Sequence, residues 1–174
     1  DLLVGLGAEF LDRPDDGLEK DFATRRSPDP ADGKGMSRFV QLEGRLTLTG
    51  ANADRRIRVR DSHLASVAAA LAHELVVVRK LGPLAADAEV GKALAPYTID
   101  AVGRQAGLPD GILKELADEL AAAPGKALVV AGGSAAASAS GPALELAAIL
   151  LNVTVGAFEA GLVDETAAVE PPSG

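Results

Sequence analysis

Two hydrophobic periods alternate along this chain. Leu2–Leu6 is a short apolar run closed by Gly7, the pattern of a buried strand. Residues 12–35 are polar, hold Pro14, Pro28 and Pro30 among several aspartates, and offer one brief helical candidate at 18–24. This excursion is longer than an ordinary connection, so it is expected to be functional or disordered. Residues 38–42 predict a second strand that delivers Glu43 to its carboxyl end, and 56–60, centred on Ile57 and Val59, predict a short third strand with basic flanks. The spacing then changes from two to 3.6. Ser62 is placed to cap a helix over 63–80 that buries Leu64, Val67, Ala68, Leu71, Leu75 and Val78 on one face.

Gly82 and Pro83 stop that helix. In the mixed region 84–107 a short helix is expected at 99–105, ended by Gly107. Asp110 is expected to cap another, with Ile112, Leu113, Leu116, Ala117 and Leu120 as its buried stripe. After the Pro124-Gly125 turn, Ala127–Ala131 reads as a fourth strand, apolar throughout and therefore covered on both faces. Residues 132–141 form a small-residue loop. Pro142 suits the first turn of a helix through 151, and 152–164 return to turn chemistry. Strands alternating with helices predict an α/β fold: a three-layer, mostly parallel, Rossmann-like sheet of about four strands flanked by helices. Residues 1–165 would form this domain and 166–174 a linker-like tail. The abrupt opening on a strand and the closing VEPPSG lead us to expect a piece of a longer protein.

Composition narrows the chemistry. With 3% aromatic residues and no Trp, the core must be built from Ala, Leu and Val, which suits close-packed helices on a parallel sheet. A formal net charge of -8 argues against a nucleic-acid partner, because phosphate binding relies on clustered Lys and Arg. The absence of cysteine removes disulfides, thiolate nucleophiles, thiolate zinc sites and cysteine-ligated iron–sulfur clusters. His63 and His73 are not at metal-ligand spacing. No uninterrupted apolar run reaches membrane-spanning length and no leader pattern opens the sequence, so neither direct membrane insertion nor a metal is expected.

Several constellations invite ligand readings. Gly5 and Gly7 begin a dinucleotide fingerprint, but its third glycine position holds Phe10, so tight packing at a strand end explains them better. The run AGGSAAASASG follows a strand and precedes a helix, where the backbone N–H groups of Gly132, Gly133 and Ser134 could hold an anion. It lacks the Lys-Ser/Thr pair of a phosphate-hydrolysing loop. Glu43 at its strand end could accept bonds from ribose hydroxyls, or be a solvated acid paired to Arg45 or Arg60. The loop TGANAD carries Thr49 and Asp54 toward the same expected site. Asp54 with Arg55, Arg56, Arg58 and Arg60 forms either a phosphate-facing edge or one that keeps a short strand soluble.

The stretch LEGRLTLTGANADRRIRVR resembles the molybdopterin oxidoreductase family, in which a strand ending in an acid-Pro-Arg motif is followed by Thr, Ala and Ala-Asp, a short strand and an Ala/Leu helix. GLPDGILKELADELAAAPGKALVVAGG and LLNVTVGAF resemble the family's helix that feeds a Gly-ended strand and its Leu-Asn-x-x-x-Gly stretch. The chain departs from that pattern in three loops. Glu9-Phe10 stands for Asn-Pro, Glu43-Gly44-Arg45 for acid-Pro-Arg, and Arg60-Asp61-Ser62-His63 for Pro-Gly-Thr-Asp. The altered pattern is most similar to the large iron–sulfur subunit of alternative complex III. That resemblance implies a non-catalytic docking domain with no cofactor of its own and with molybdopterin not expected. The parent would carry iron–sulfur clusters elsewhere, sit on the periplasmic face of a bacterial membrane, and contact its remaining domains and membrane quinol-oxidising subunits, the fragment itself being soluble. If a pterin nucleotide is bound instead, in an active molybdenum oxidoreductase whose catalytic residues lie outside this segment, the resemblance assigns it Glu43, Thr49, Asp54, Gly132, Gly133 and Ser134. A free-standing nucleotide-binding module is a third reading.

Overall fold

The computed structural model describes residues 1–12, 18–27 and 35–163. The expected tail, 166–174, and parts of the polar excursion lie outside the described residues. In chain order the elements are β1 (Leu2–Leu6), α1 (Leu18–Arg25), β2 (Arg38–Glu43), α2 (Leu48–Ala51), β3 (Arg55–Arg58), α3 (Asp61–Ala72), α4 (Ala88–Leu94), α5 (Ile99–Ala106), α6 (Ile112–Ala121), β4 (Ala127–Ala131), α7 (Gly133–Ala136) and α8 (Gly141–Val155). The sheet has the order β3-β2-β1-β4 and is parallel throughout, with Val4 in register with Val40 and Val129. Helices flank it, giving the three-layer α/β architecture that the alternation of periods predicts.

Strand parity decides what each face of the sheet carries. Leu2, Val4, Leu6, Val40, Leu42, Ile57 and Val129 share one face and pack with Leu64, Val67 and Leu71 of α3 and Leu144 and Leu151 of α8 in a continuous aliphatic core. The opposite face carries a smaller aromatic cluster. Phe10, Phe22 and Phe39 meet with ring centroids 5.3–5.8 Å apart, Phe22 being delivered by α1.

Several local expectations are corrected. Asp61 opens α3 and Arg60 takes the cap position without a side-chain bond, so Ser62 is not the cap. An acid in the first turn complements the helix dipole instead. After Ala72 the helix widens into a π-helical stretch, His73–Val78, closed by Arg79 N–H donating to Glu74 O. The wider turn changes the phase of the stripe. Val76 is buried while Val78, expected in the core, is 57% exposed. The continuous segment Asp61–Val78 is long and apolar enough to cross a membrane by length and composition alone, although Asp61, His63, His73 and Glu74 interrupt its apolar run. Here 44% of it is buried, where it packs on the sheet beside α8.

Asp110 does not cap α6. Gly111 does, with a left-handed φ of 83° that only glycine adopts without strain. Helix α4 is capped by Asp87, whose carboxylate accepts from Glu89 N and Val90 N. It escaped the sequence pattern because it buries a single side chain, Leu94. Helix α8 runs on to Val155, four residues past the expected end.

Asn152 explains that extension. β4 is an edge strand, and alternate residues of a parallel strand turn their backbone groups away from the neighbour. Val129 faces outward, and the Asn152 amide pairs with it at both ends, Val129 N donating to Oδ1 and Nδ2 donating to Val129 O, each at 2.8 Å. A single side chain thus does what a fifth strand would do. Leu151 is fully buried and Gly156 ends α8 at φ 75°, so the Leu-Asn-x-x-x-Gly stretch has a structural role at each fixed position.

Candidate functional site

The carboxyl ends of β1, β2 and β4, where open α/β sheets hold ligands, bring together Glu9, Glu43, Arg45, Asp61 and Ser134. Glu43 sits at the end of β2 and is 2% exposed. Its carboxylate accepts from the Thr47 hydroxyl at 2.6 Å and from Arg56 Nε, with Gln41 Nε2 at 3.5 Å. Thr47 in turn caps α2 by accepting from Gly50 N at 2.9 Å. A Cβ on Gly50 would fall on the Glu43 carboxylate, so this glycine is where the loop folds down over the buried acid. Neither Arg45 nor Arg60 is the partner of Glu43, and the acid is not solvated. Arg56 holds it, because Arg56 and Gln41 are in register on the face to which Glu43 also points.

Thr49 is fully buried in the same turn. Its hydroxyl donates to Asp12 at 2.9 Å and accepts from Leu11 N, while Leu48 N and Thr49 N both donate to the Asp12 carboxylate at 3.0 Å. Burial alone would push Asp12 up. The bonds from the α2 amides and Thr49 hydroxyl, with the nearby Arg45 charge, outweigh it and hold the carboxyl below its usual range.

Gly132, Gly133 and Ser134 form the turn from β4 into α7. Gly133 has φ 62°, and a Cβ there would strike the Gly7 carbonyl and the Glu9 side chain. Glu9, 7% exposed, lies across this turn. Its carboxylate accepts from Arg45 Nη2 at 2.7 Å and from Ser134 N at 3.3 Å. The Ser134 hydroxyl donates to Asp61 at 3.0 Å, and a Cβ on Gly44 would meet that same Asp61. Gly5 and Gly7 are packing glycines of the same region: a Cβ on the first would overlap the Gln41 amide, and one on the second would press on Ala135.

Asp54 is not part of this group. It precedes β3 and therefore lies at the amino ends of the strands, opposite Glu43. Its carboxylate takes both guanidinium nitrogens of Arg26, at 2.6 and 2.9 Å, and Phe39 N at 2.7 Å. The Arg26 bonds are the main reason its carboxyl is held below the usual range. A groove of about 430 Å³ opens at this end, floored by Leu3, Phe22, Phe39 and Leu128.

Among the expected site residues, then, Glu43 and Thr49 share one turn, Gly132 to Ser134 form a second loop at the same end, and Asp54 stands apart. The sequence reading did not nominate Glu9, Thr47 or Asp61 as members of a site, and it set Arg56 on a basic edge with Asp54, whereas Arg56 binds Glu43. Glu9 and Asp61 carried a signal, since each lies in a loop that departs from the family pattern. Thr47 carried none, and nothing in the sequence joined Arg56 to Glu43, because that partner is set only by folding.

No protein-family model matches the chain, and no curated protein matches it in sequence. A solved structure, that of acetylene hydratase from Pelobacter acetylenicus, matches in fold with a TM-score of 0.64 and 16% identity. The match covers 92% of this chain and 22% of that one, so the chain spans about a fifth of its structural neighbour. At this identity the likeness is one of fold alone: a parallel α/β domain of the kind found in part of that structure.

Proposed function

We propose that this molybdopterin oxidoreductase-like domain is a cofactor-free scaffold and docking domain of a larger respiratory iron–sulfur subunit. One observation carries the reading. The three loops in which the chain departs from the family pattern, at Glu9, at Glu43-Gly44-Arg45 and at Asp61, lie against one another, through the Arg45–Glu9 ion pair and the contact between Gly44 and Asp61. Ser134 binds both Glu9 and Asp61, so the β4 loop is tied to the same network.

A pterin nucleotide's phosphates would need the Ser134 amide and the space beside Gly133. Glu9 lies there, and an anion beside it would meet like charge from Glu9, Asp61 and Glu43. The residues present do not fit the group. Gly50 and Gly133, two glycines at which the backbone is open to close approach, make room for the protein's own carboxylates. Thr49, which could donate to a phosphate or ribose, is committed to Asp12. No catalytic step is assigned to this segment.

The test is elemental and pterin analysis of the longer protein that contains this chain, purified without denaturation. Absence of molybdenum, tungsten and oxidised-pterin fluorescence is expected, with iron present. Molybdenum or tungsten with pterin at one per chain, lost on substituting Glu43 with alanine, would overturn the proposal in favour of a bound dinucleotide arm.

A further inference from the structure

The two edges of the sheet are finished differently. At β4 the outward backbone of Val129 is taken by Asn152. At β3, Val59 N donates to Glu43 O, so by alternation Arg55 and Ile57 turn their backbone groups toward β2, and those of Arg56 and Arg58 project from the free edge. Among the described residues nothing pairs with them. The side chains do not cover the edge either: Arg55 turns to Glu115 on α6 and Arg56 folds back onto Glu43. Arg58 and Arg60 remain exposed and without a carboxylate among the described residues, whereas Arg26, Arg38, Arg45, Arg55, Arg56 and Arg79 each have one. In a chain of net charge -8 an uncompensated cationic edge is unusual.

We infer that the β3 edge is a docking site for an extended, acidic segment of a partner protein, added to the sheet as a further strand with its carboxylates facing Arg58 and Arg60. Main-chain bonds to Arg56 and Arg58 would supply attachment, and the arginines the choice of partner. Edge arginines also keep a strand from pairing with copies of itself, since like charges then stand opposite each other. The same charge that rejects a second copy selects an acidic strand. The inference rests on the docking role proposed above and gives it a surface.

The probe is a heptapeptide of alternating valine and glutamate, titrated into the 174-residue chain at low ionic strength and followed by amide NMR and fluorescence anisotropy. Saturable binding is expected, with the largest shifts at the amides of Arg56, Ile57, Arg58 and Val59, weakening as salt rises. Arg58→Glu with Arg60→Glu is expected to weaken it at least tenfold, and Arg58→Gln with Arg60→Gln by an intermediate factor; both pairs are exposed and leave the core untouched. No saturable binding at millimolar peptide, shifts centred elsewhere, equal binding of the valine–lysine heptapeptide, or preference for an oligonucleotide would each overturn it. Pterin found in the parent while the peptide binds at β3 would sink the cofactor-free reading and leave the edge assignment standing.

Discussion

The two faces of the sheet are stabilised by different physics. On one, aliphatic strand residues meet α3 and α8, and the buried polar residues of α8 among those described are Asn152 and Thr154. Burial of area does the work, at roughly 25 cal/mol per Å². On the other, the three phenylalanines occupy the amino end of the strands, and toward the carboxyl end the same face becomes polar: Gln41, then Glu43, with Arg56 beside them. There the loops are held by hydrogen bonds to buried groups, whose loss costs more than each bond contributes, and Gln41 Oε1 is buried without a partner. The first face can be trimmed at a graded cost. The second has exacting geometry at a few atoms.

The largest contrast is expected from paired substitutions. Leu71→Ala, fully buried against the sheet, should lower stability by about 3–4 kcal/mol in urea unfolding, whereas Phe22→Ala, half-buried on the aromatic side, should lower it by about 1–2 kcal/mol. Equal losses would show that the aromatic cluster carries as much of the fold as the aliphatic core.

Arg56→Ala leaves Glu43 buried without its guanidinium and is expected to cost about 2–3 kcal/mol, reduced from a fully buried pair because the arginine is partly exposed. Adding Glu43→Met to Arg56→Met should recover at least half of that loss, since removing both charges also removes their desolvation. Failure to recover would mean that Glu43 is needed for its bond to Thr47 as well.

Asn152→Leu removes both bonds to Val129 and should cost about 1–3 kcal/mol, accompanied by concentration-dependent association in light scattering as the β4 edge opens. A stable, monomeric variant would show that water or α8 can close the edge unaided.

The smallest effect concerns the amino end. Asp54 has a folded-state pKa below its unfolded value near 3.9. A depressed carboxyl stabilises the fold at pH above the unfolded value, and that contribution is lost as pH falls through the folded value. Asp54→Asn should therefore lose less stability than the parent chain between about pH 5 and pH 3, and Arg26→Gln should flatten the same limb. Parallel acid limbs would exclude the Arg26–Asp54 pair as a source of acid sensitivity.

Legibility follows locality. Ala127–Ala131 could be read from its apolar run, and the end of α5 from Gly107, which has φ 67° in the structure. Those signals are carried by neighbours in sequence. Glu43 was legible as an acid at a strand end but its partner was not, because Arg56 arrives from the next strand in register. Asp54 was misplaced for a related reason: three residues after α2, the chain has already returned to the amino end of the sheet.

What the sequence determined by itself was the alternation of strand and helix, and hence a parallel sheet covered by aliphatic helices; period and parity are properties of the backbone that each segment carries with it. Its resemblance to a family pattern also drew attention to the loops at Glu9, Glu43-Gly44-Arg45 and Asp61. Only the tertiary structure decided that these alterations lie together, that Gly50 and Gly133 receive carboxylates of the chain itself, and that Asn152 closes one edge while β3 stays open. Those outcomes depend on contacts between residues as far apart as 9 and 134, which come within bonding distance once the sheet has formed.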